Sequence, residues 1–151
     1  MKRNLSVRPI QNGTVIDHIQ VGQGLKIMAL LGEFPEQVTV GLNLKSSLLG
    51  SKDLIKIEGL FLTEAQTSQI ALFSPQATVN VIRKTKIITK YKVRLPEQIQ
   101  GLLHCPNQLC ITNFDPVITR FSIYETPVGV FLRCHFCEKI YNREYHTQHK
   151  T

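Results

Sequence analysis

Apolar and polar positions alternate with period two at several points in the first 96 residues, and this alternation predicts β-strands. The first extended segment contains the turn signal Asn12-Gly13, and β-branched residues dominate after it. A polar stretch, 45–52, is predicted to be a loop between two of the strands. The predicted extended segments are 4–19, 38–44, 53–58, 77–83 and 86–93.

Two helices are predicted between these strands. Residues 25–31 present a broad apolar face. In the second helix, Thr63-Glu-Ala-Gln66 forms a capping box ahead of the apolar run 70–73, and Ser74-Pro75 ends the helix. The order β-α-β-β-α-β with one short extra strand is the pattern of a ferredoxin-like α+β sandwich.

The pattern breaks at Leu95-Pro96-Glu97, which predicts a domain boundary. The N-terminal domain would then cover residues 1–96 and the C-terminal domain residues 97–151. Short strands over 117–124 and 128–133 predict a hairpin in the second domain. This part of the chain is interpreted as a small all-β zinc-ribbon (rubredoxin-like) domain.

The second domain contains the four cysteines of the chain, as two close pairs with 23 residues between them. Such pairs around a hairpin-sized insert suit a tetrahedral site of four thiolates, and this closed ligand set argues against a hydrolytic metal site. Structural zinc is the favoured interpretation, with iron and disulfides as alternatives. About fifty residues around the site hold too little apolar surface to fold alone, so metal binding would supply folding free energy.

The basic excess of the chain lies outside this cysteine-containing domain. The formal net charge is +7, and residues 1–96 hold 13 Lys and Arg against 6 Asp and Glu. Residues 97–151 hold 5 of each. This distribution speaks against the main alternative function, a free-standing nucleic-acid-binding zinc-ribbon protein, which would need a basic ribbon.

Composition and the N-terminal residues predict a cytoplasmic protein. The hydrophobic fraction of 42% is ordinary for a globular chain, and no apolar stretch reaches the length of a membrane span. No secretory signal peptide is predicted, because polar residues interrupt the stretch after the basic start Met1-Lys2-Arg3. Cysteines kept reduced for a metal fit the same location.

Cations recur along the predicted strand 86–93. Strict alternation would place Lys86, Lys90, Lys92 and Arg94 on one face. One interpretation is a solvated edge whose lysines prevent strand-to-strand aggregation. The other is an anion site, because cations clustered on one sheet face attract phosphate, and Lys56 on another strand could join them.

Asp17 and His18 interrupt an apolar strand, where adjacent side chains are expected to point to opposite faces and not to form a side-by-side dyad. A hydrogen-bonded strand end is the simpler interpretation. A small enzyme built on these two residues is a further hypothesis, but the sequence offers neither a nucleophile elbow nor a glycine-rich phosphate loop. The sequence chemistry therefore argues against an enzyme.

The blocks 13–19, 41–44, 52–58 and 75–80, followed by the two cysteine knuckles, resemble the regulatory chains of aspartate carbamoyltransferase nearly end to end. The resemblance implies a non-catalytic subunit of pyrimidine biosynthesis. Its N-terminal domain would bind nucleoside triphosphates, with ATP as activator and CTP and UTP as inhibitors. Its zinc domain would dock on the catalytic chain, and regulatory dimers would bridge catalytic trimers.

The resemblance also implies individual site residues. Asp17, His18, Lys56 and Lys90 fall where the family contacts the nucleotide, and the two lysines would serve as point charges for the triphosphate. Bridging of bound triphosphates by a divalent metal such as Mg²⁺ is a further implication. The base and ribose pocket would comprise Ile10, Val15, Leu54, Thr78, Asn80 and Ile82, and the zinc ligands would be Cys105, Cys110, Cys134 and Cys137.

Five positions depart from the family pattern. Arg8-Pro9 stands where better-known members carry an acidic and a small residue, and proline removes a backbone N–H. Thr85 replaces a tyrosine near the base pocket. Leu109 replaces an asparagine in the first knuckle loop, and Asp115 replaces a glutamate. These changes leave effector preference and strength of coupling open.

Overall fold

The computed structural model of the chain describes residues 9–143. The chain divides into two compact units, one ending at Arg94 and the other beginning at Leu95. This division lies two residues before the boundary expected from the sequence. The start of the predicted extended segment, 4–8, which includes Arg8, lies outside the described residues.

The first unit is an antiparallel sheet of five strands with two helices, as the ferredoxin-like α+β pattern predicts. The sheet order is β2-β3-β1-β4-β5, with the first strand in the middle. The elements are β1 (Gly13–Ile19), α1 (Gly24–Leu31), β2 (Val38–Ser46), β3 (Gly50–Glu58), α2 (Glu64–Phe73), β4 (Thr78–Arg83) and β5 (Lys86–Lys92).

One face of this sheet packs against the helices. Ile16, Ile55 and Val79 alternate with less buried neighbours along their strands and are 0% exposed. Asp53 lies on the same face, and its Oδ2 accepts the backbone N–H of Gly24, the first residue of α1, at 3.0 Å. The core is therefore on this side, which leaves the other sheet face free of helices among the described residues.

The predicted loop at 45–52 is wrong, since most of it continues the strands. β2 extends to Ser46 and β3 begins at Gly50, with pairs such as Lys45 with Ser51. Antiparallel backbone hydrogen bonds do not require apolar side chains, so exposed polar residues can extend a hairpin between two strands. The polar composition here reflects exposure rather than a loop.

The second helix begins and ends as predicted. Thr63 Oγ1 accepts the backbone N–H of Gln66 at 3.2 Å, and Gln66 Oε1 accepts that of Thr63 at 2.9 Å. These reciprocal bonds form the capping box. At the other end, the N–H of Ser74 donates to the Ile70 carbonyl before Pro75 stops the helix.

The second unit is a four-stranded antiparallel sheet, and its central hairpin confirms the strands predicted there. Among its described residues, the buried apolar side chains besides the cysteines are few, namely Ile99, Leu103, Phe121, Val130 and Leu132. In the described residues of the chain, no helix has both the length and the apolar character to cross a membrane. The strands are β6 (Gln98–Gln100), β7 (Arg120–Thr126), β8 (Gly129–Cys134) and β9 (Ile140–Asn142), with a 3-10 turn at Ile111–Asn113.

Candidate functional site

A row of four predicted site residues crosses the helix-free sheet face. Lys56 on β3 pairs with Val15 on β1, Val15 pairs with Asn80 on β4, and Asn80 pairs with Lys90 on β5. Directly paired residues of antiparallel strands share a face of the sheet. Four strands therefore bring these side chains into one transverse line.

Further predicted residues join this face through the same register. Asp17 pairs with Thr78, one step along the strands from the row. Leu54 and Ile82 lie two residues from Lys56 and Asn80 and so project to the same side. Because the sequence analysis expects these residues to contact a nucleotide, we call this surface the nucleotide face. The expected residues that its strands bring together are Val15, Asp17, Leu54, Lys56, Thr78, Asn80, Ile82 and Lys90.

Asn80 is an unsatisfied group at the centre of the row. Its side chain is buried, 7% exposed, and its Oδ1 has no hydrogen-bond partner within the part of the chain that the structure describes. Lys56 and Lys90, on either side, form no ion pair with any described residue. Because a buried acceptor without a donor costs free energy, this row has the character of a site that a polar ligand completes.

Asp17 is held as a charged carboxylate beside the row. Its Oδ1 lies 2.8 Å from Lys52 Nζ and accepts the backbone N–H of His18 at 2.6 Å. Burial acts to raise the pKa of the Asp17 carboxyl, but the hydrogen bond from the Lys52 ammonium, that from the His18 backbone N–H and the positive charge of Lys52 outweigh it and lower the pKa. Lys52 was missing from the sequence-based set, although its period-two spacing from Leu54 and Lys56 already puts it on this face.

The expectation that Asp17 and His18 point to opposite faces is wrong. His18 has a φ of 54°, and the pairing of β1 with β3 shifts between Ile16 and Ile19, as at a β-bulge. His18 Nδ1 lies 2.9 Å from Oγ1 of Thr78, the residue that pairs with Asp17. The bulge thus turns the imidazole toward the nucleotide face, whereas strict alternation would turn it away.

A second bulge corrects the predicted basic face of β5. Thr89 pairs with Val81, but Ile87 pairs with Ile82, so Ile88 is an extra residue in the strand. Lys90 and Lys92 therefore lie on the nucleotide face. Lys86 pairs with Arg83 and lies on the opposite face, so it does not join the cluster.

The remaining positions singled out in this domain lie around the segment before β1. Ile10 is partly buried there and lines a cleft of about 240 Å³. Thr85, in the β4–β5 turn, has a φ of 64°, and its N–H donates to the Gln11 carbonyl. Pro9 is exposed and lines the same cleft. These residues are close to the nucleotide face but belong to loops rather than to its strands.

The four predicted cysteines converge into one cluster in the second unit. All four Sγ atoms lie within 4.8 Å of one another, with Cys105 to Cys137 at 3.6 Å and Cys110 to Cys134 at 3.8 Å. A tetrahedron of thiolates around zinc, with Zn–S of about 2.3 Å, has edges of about 3.8 Å. The donor set and its spacing therefore fit one four-coordinate metal ion.

Backbone and side-chain hydrogen bonds shape the two knuckles. Asn113 Nδ2 donates to the carbonyls of Cys105 and Asn107, which folds the first knuckle loop over the metal position. In the second knuckle, the N–H of Glu138 donates to the Cys134 carbonyl at 2.9 Å, and Glu138 takes a φ of 63° to close the turn. These hydrogen bonds fix the spacing of the two cysteines within each knuckle of the folded unit.

The thiols of the cluster differ in acidity. Burial raises the pKa of Cys105 and Cys134 above the ordinary thiol value. Burial acts in the same direction on Cys137, but hydrogen bonds from the Lys139 backbone and the Asn107 side chain lower its pKa to about 7. A cation at the centre would favour the thiolate at every position.

Large apolar side chains lie exposed in the first knuckle and in the turn directly after it. Leu109 is 84% exposed and Phe114 is 70% exposed, and Ile111 between them is half exposed. Several large apolar side chains exposed within six residues of the chain are typical of a protein-interaction surface. We call Leu109, Ile111 and Phe114 the knuckle patch.

Comparisons with known proteins agree with this two-part arrangement. Residues 5–94 match the model of the aspartate carbamoyltransferase regulatory chain, allosteric domain, and residues 97–146 match that of its metal binding domain. Curated regulatory chains of this enzyme from Tolumonas auensis and Aeromonas hydrophila are 50% and 48% identical over 145 residues, covering 95% of this chain and 94% of each relative. The chain therefore belongs to the family of aspartate carbamoyltransferase regulatory chains, non-catalytic subunits with an allosteric and a metal-binding domain.

Proposed function

We propose that the nucleotide face binds nucleoside triphosphates as allosteric effectors, with ATP as activator and CTP and UTP as inhibitors. The observation that carries this proposal is the row Lys56–Val15–Asn80–Lys90. Within residues 9–143, its buried acceptor has no donor and the lysines on either side have no ion pair. Strands are spaced by about 4.8 Å, so the row spans about 14 Å, which suits an extended nucleotide better than a free phosphate.

The charges on the nucleotide face support the same ligand class. The Lys52 ammonium is already neutralised by Asp17, whereas the ammonium groups of Lys56 and Lys90, which pair with no carboxylate in the described part of the chain, would bind phosphate oxygens. Apolar Val15, Leu54 and Ile82 offer a surface for a heterocyclic base. A divalent cation such as Mg²⁺ would bridge the bound phosphates and reduce their mutual repulsion.

We further propose that the cysteine cluster holds one structural Zn²⁺ and that the metal-binding domain docks on the catalytic chain. Four thiolates close the coordination sphere, so the metal would fold and stiffen the knuckles without performing chemistry. The knuckle patch is the proposed contact surface, since Leu109 and Phe114 lie on the loop that the metal would fix. In the assembled cytoplasmic enzyme, regulatory dimers would bridge catalytic trimers.

The test is co-purification of the zinc-loaded chain with a catalytic chain, followed by carbamoyl-transfer assays with and without ATP, CTP and UTP. The expected result is a complex whose rate at subsaturating aspartate rises with ATP and falls with CTP. A complex whose rate none of the three nucleotides changes would contradict the effector proposal. Failure to form the complex, together with salt-sensitive oligonucleotide binding, would instead favour a nucleic-acid-binding ribbon.

A further inference from the structure

The segment before β1, residues 9–12, has no regular secondary structure, yet hydrogen bonds fix it on two sides. On one side, the Glu58 carboxylate accepts the backbone N–H groups of Gln11 at 3.1 Å and of Asn12 at 3.2 Å. The Asn12 carbonyl in turn accepts the N–H of Gly59 at 2.8 Å. The segment is thereby attached to the end of β3.

On the other side, the same segment holds the turn between β4 and β5. Its two central residues, Lys84 and Thr85, have φ values of 49° and 64°, in the left-handed region that two-residue hairpin turns need. Neither is glycine, and a β-branched residue is rare in that region. The N–H of Thr85 donates to the Gln11 carbonyl at 2.9 Å, and that of Lys84 donates to Asn12 Oδ1 at 3.2 Å. A strained turn is therefore held by the two residues that are also attached to β3.

These contacts define one connected unit at this end of the sheet. Ile10 directly precedes Gln11 in the chain and lines the cleft of about 240 Å³ whose lining also includes Thr39, the β2 partner of Lys56. We call Gln11, Asn12, Glu58, Lys84 and Thr85 the latch.

The chemistry of the cleft favours a base over a phosphate. Its described lining residues include the carboxylates Glu36 and Glu58 and no cation, so a triphosphate would be repelled there. Carboxylates and backbone carbonyls are acceptors, and such groups suit the exocyclic amine of a nucleobase. Among the cations of the nucleotide face, Lys56 adjoins this cleft through its partner Thr39 without lining it. Lys90 lies three strands away on β5, so the phosphates would extend from the cleft across the row toward it.

We propose that the latch is a specificity-determining element, in which Asn12 and Glu58 are positioning residues that fix the Ile10 backbone against the base of a bound nucleotide. This inference rests on the nucleotide binding proposed above. The latch would affect how the site distinguishes a purine from a pyrimidine and would leave the grip on the triphosphate unchanged.

The test compares Asn12→Ala, which removes the acceptor for the Lys84 N–H, with Asn12→Asp, which keeps one. Calorimetry on the full zinc-loaded chain would give the Kd of ATP, of CTP and of inorganic tripolyphosphate. We expect Asn12→Ala to change the ratio of the ATP and CTP Kd values by about threefold or more, as loss of one hydrogen bond allows, with the tripolyphosphate Kd unchanged. Asn12→Asp should restore the wild-type ratio.

Two controls keep the outcome decisive. Ser46→Ala removes a comparable side-chain acceptor, for the Leu49 N–H at 3.1 Å, from the β2–β3 turn of the same domain and should leave the ratio unchanged. Glu58→Gln is the milder variant for use if Asn12→Ala does not fold. It keeps one acceptor oxygen for the backbone N–H groups of Gln11 and Asn12, and the same ratio of ATP and CTP Kd values is measured.

An unchanged ratio in Asn12→Ala and Glu58→Gln, or an equal loss of affinity for all three ligands, would overturn the latch proposal alone. If the wild-type chain bound neither ATP nor CTP, this result would refute the proposed effector function and, with it, the latch proposal.

Discussion

Lys86 and Lys90 project from opposite faces of β5, although both are charged and four residues separate them. The cause is the bulge at Ile88. This extra residue shifts the register of β5 against β4, so Lys90 pairs with Asn80 whereas Lys86 pairs with Arg83. Only Lys90 therefore reaches the nucleotide face. The two lysines form a natural pair for testing whether position or charge decides nucleotide binding.

Lys90→Ala is predicted to weaken ATP and CTP binding by about 1–3 kcal/mol, the range for a charge-assisted hydrogen bond to phosphate. Lys86→Ala removes the same charge from the same strand and is predicted to change affinity far less, because its effect is a screened long-range one. Isothermal calorimetry on both variants checks the pair. Equal losses in the two variants would show that general electrostatic attraction, and not the row, binds the nucleotide.

The Asp17–Lys52 pair is predicted to stabilise the first unit in a pH-dependent way. The folded-state pKa of Asp17 is lowered from 3.8, so its stabilising contribution is fully present above that value and is lost as pH falls through the folded-state pKa. Lys52→Met should reduce stability by about 1 kcal/mol or less near neutral pH, since the pair is partly exposed. The difference in stability between Lys52→Met and wild type should become smaller as pH falls below about 4, because the Asp17 carboxylate is then protonated.

Hydrogen exchange of amides in β1 and β4 measures this effect without interference from the metal-binding unit. Lys45→Met is the matched control, because Lys45 forms no ion pair with any described residue. If the difference in the free energy of unfolding between wild type and Lys52→Met stayed constant down to pH 2–3, titration of Asp17 would be ruled out as the source of that difference.

Sequence patterns predicted most of this fold because they depend on local physics. The capping box at Thr63, the alternation in β3 and the cysteine spacing each follow from residues that are close in the chain. The position of a β-bulge cannot be predicted in this way. It depends on how the strand pairs with another strand that is distant in the chain, and no particular residue type marks the extra residue. His18 and Ile88 are ordinary strand residues by composition, so the faces of His18 and Lys86 were mispredicted. The Asp17–Lys52 ion pair was missed for a similar reason, since it depends on strand register.

Metal removal is predicted to unfold the second unit and leave the first one intact. The described residues of the second unit include few buried apolar side chains, so this unit is expected to depend on the metal for folding free energy, whereas the first unit has a core around Ile16 and Ile55. Cys137→Ser or a strong chelator should abolish the amide NMR dispersion of β7 and β8 and preserve that of β1 to β5. The chain should also leave the catalytic trimer.

Thr112→Ala is the conservative comparison for this experiment. It removes a hydroxyl that lies 3.2 Å from Cys110 Sγ but leaves all four ligands, so one metal per chain should still be bound, as measured by elemental analysis. Retention of the β7–β8 fold after complete metal removal would contradict the role assigned to the cysteine cluster.

The knuckle patch is predicted to carry the contact with the catalytic chain. Leu109→Asp or Phe114→Asp puts a carboxylate into a surface that would lose water on docking, and an uncompensated charge there should weaken assembly by several kcal/mol. Val128→Asp is the matched control: Val128 is 81% exposed, close to the 84% of Leu109, but lies in the β7–β8 turn, at the far end of the hairpin from Cys134. Analytical ultracentrifugation of each variant with the catalytic trimer measures assembly, and zinc content checks that the knuckles are intact. Leu109→Asp and Val128→Asp introduce the same charge on apolar residues of similar exposure. Loss of the complex with Val128→Asp but not with Leu109→Asp would therefore place the interface at the hairpin end and refute the patch.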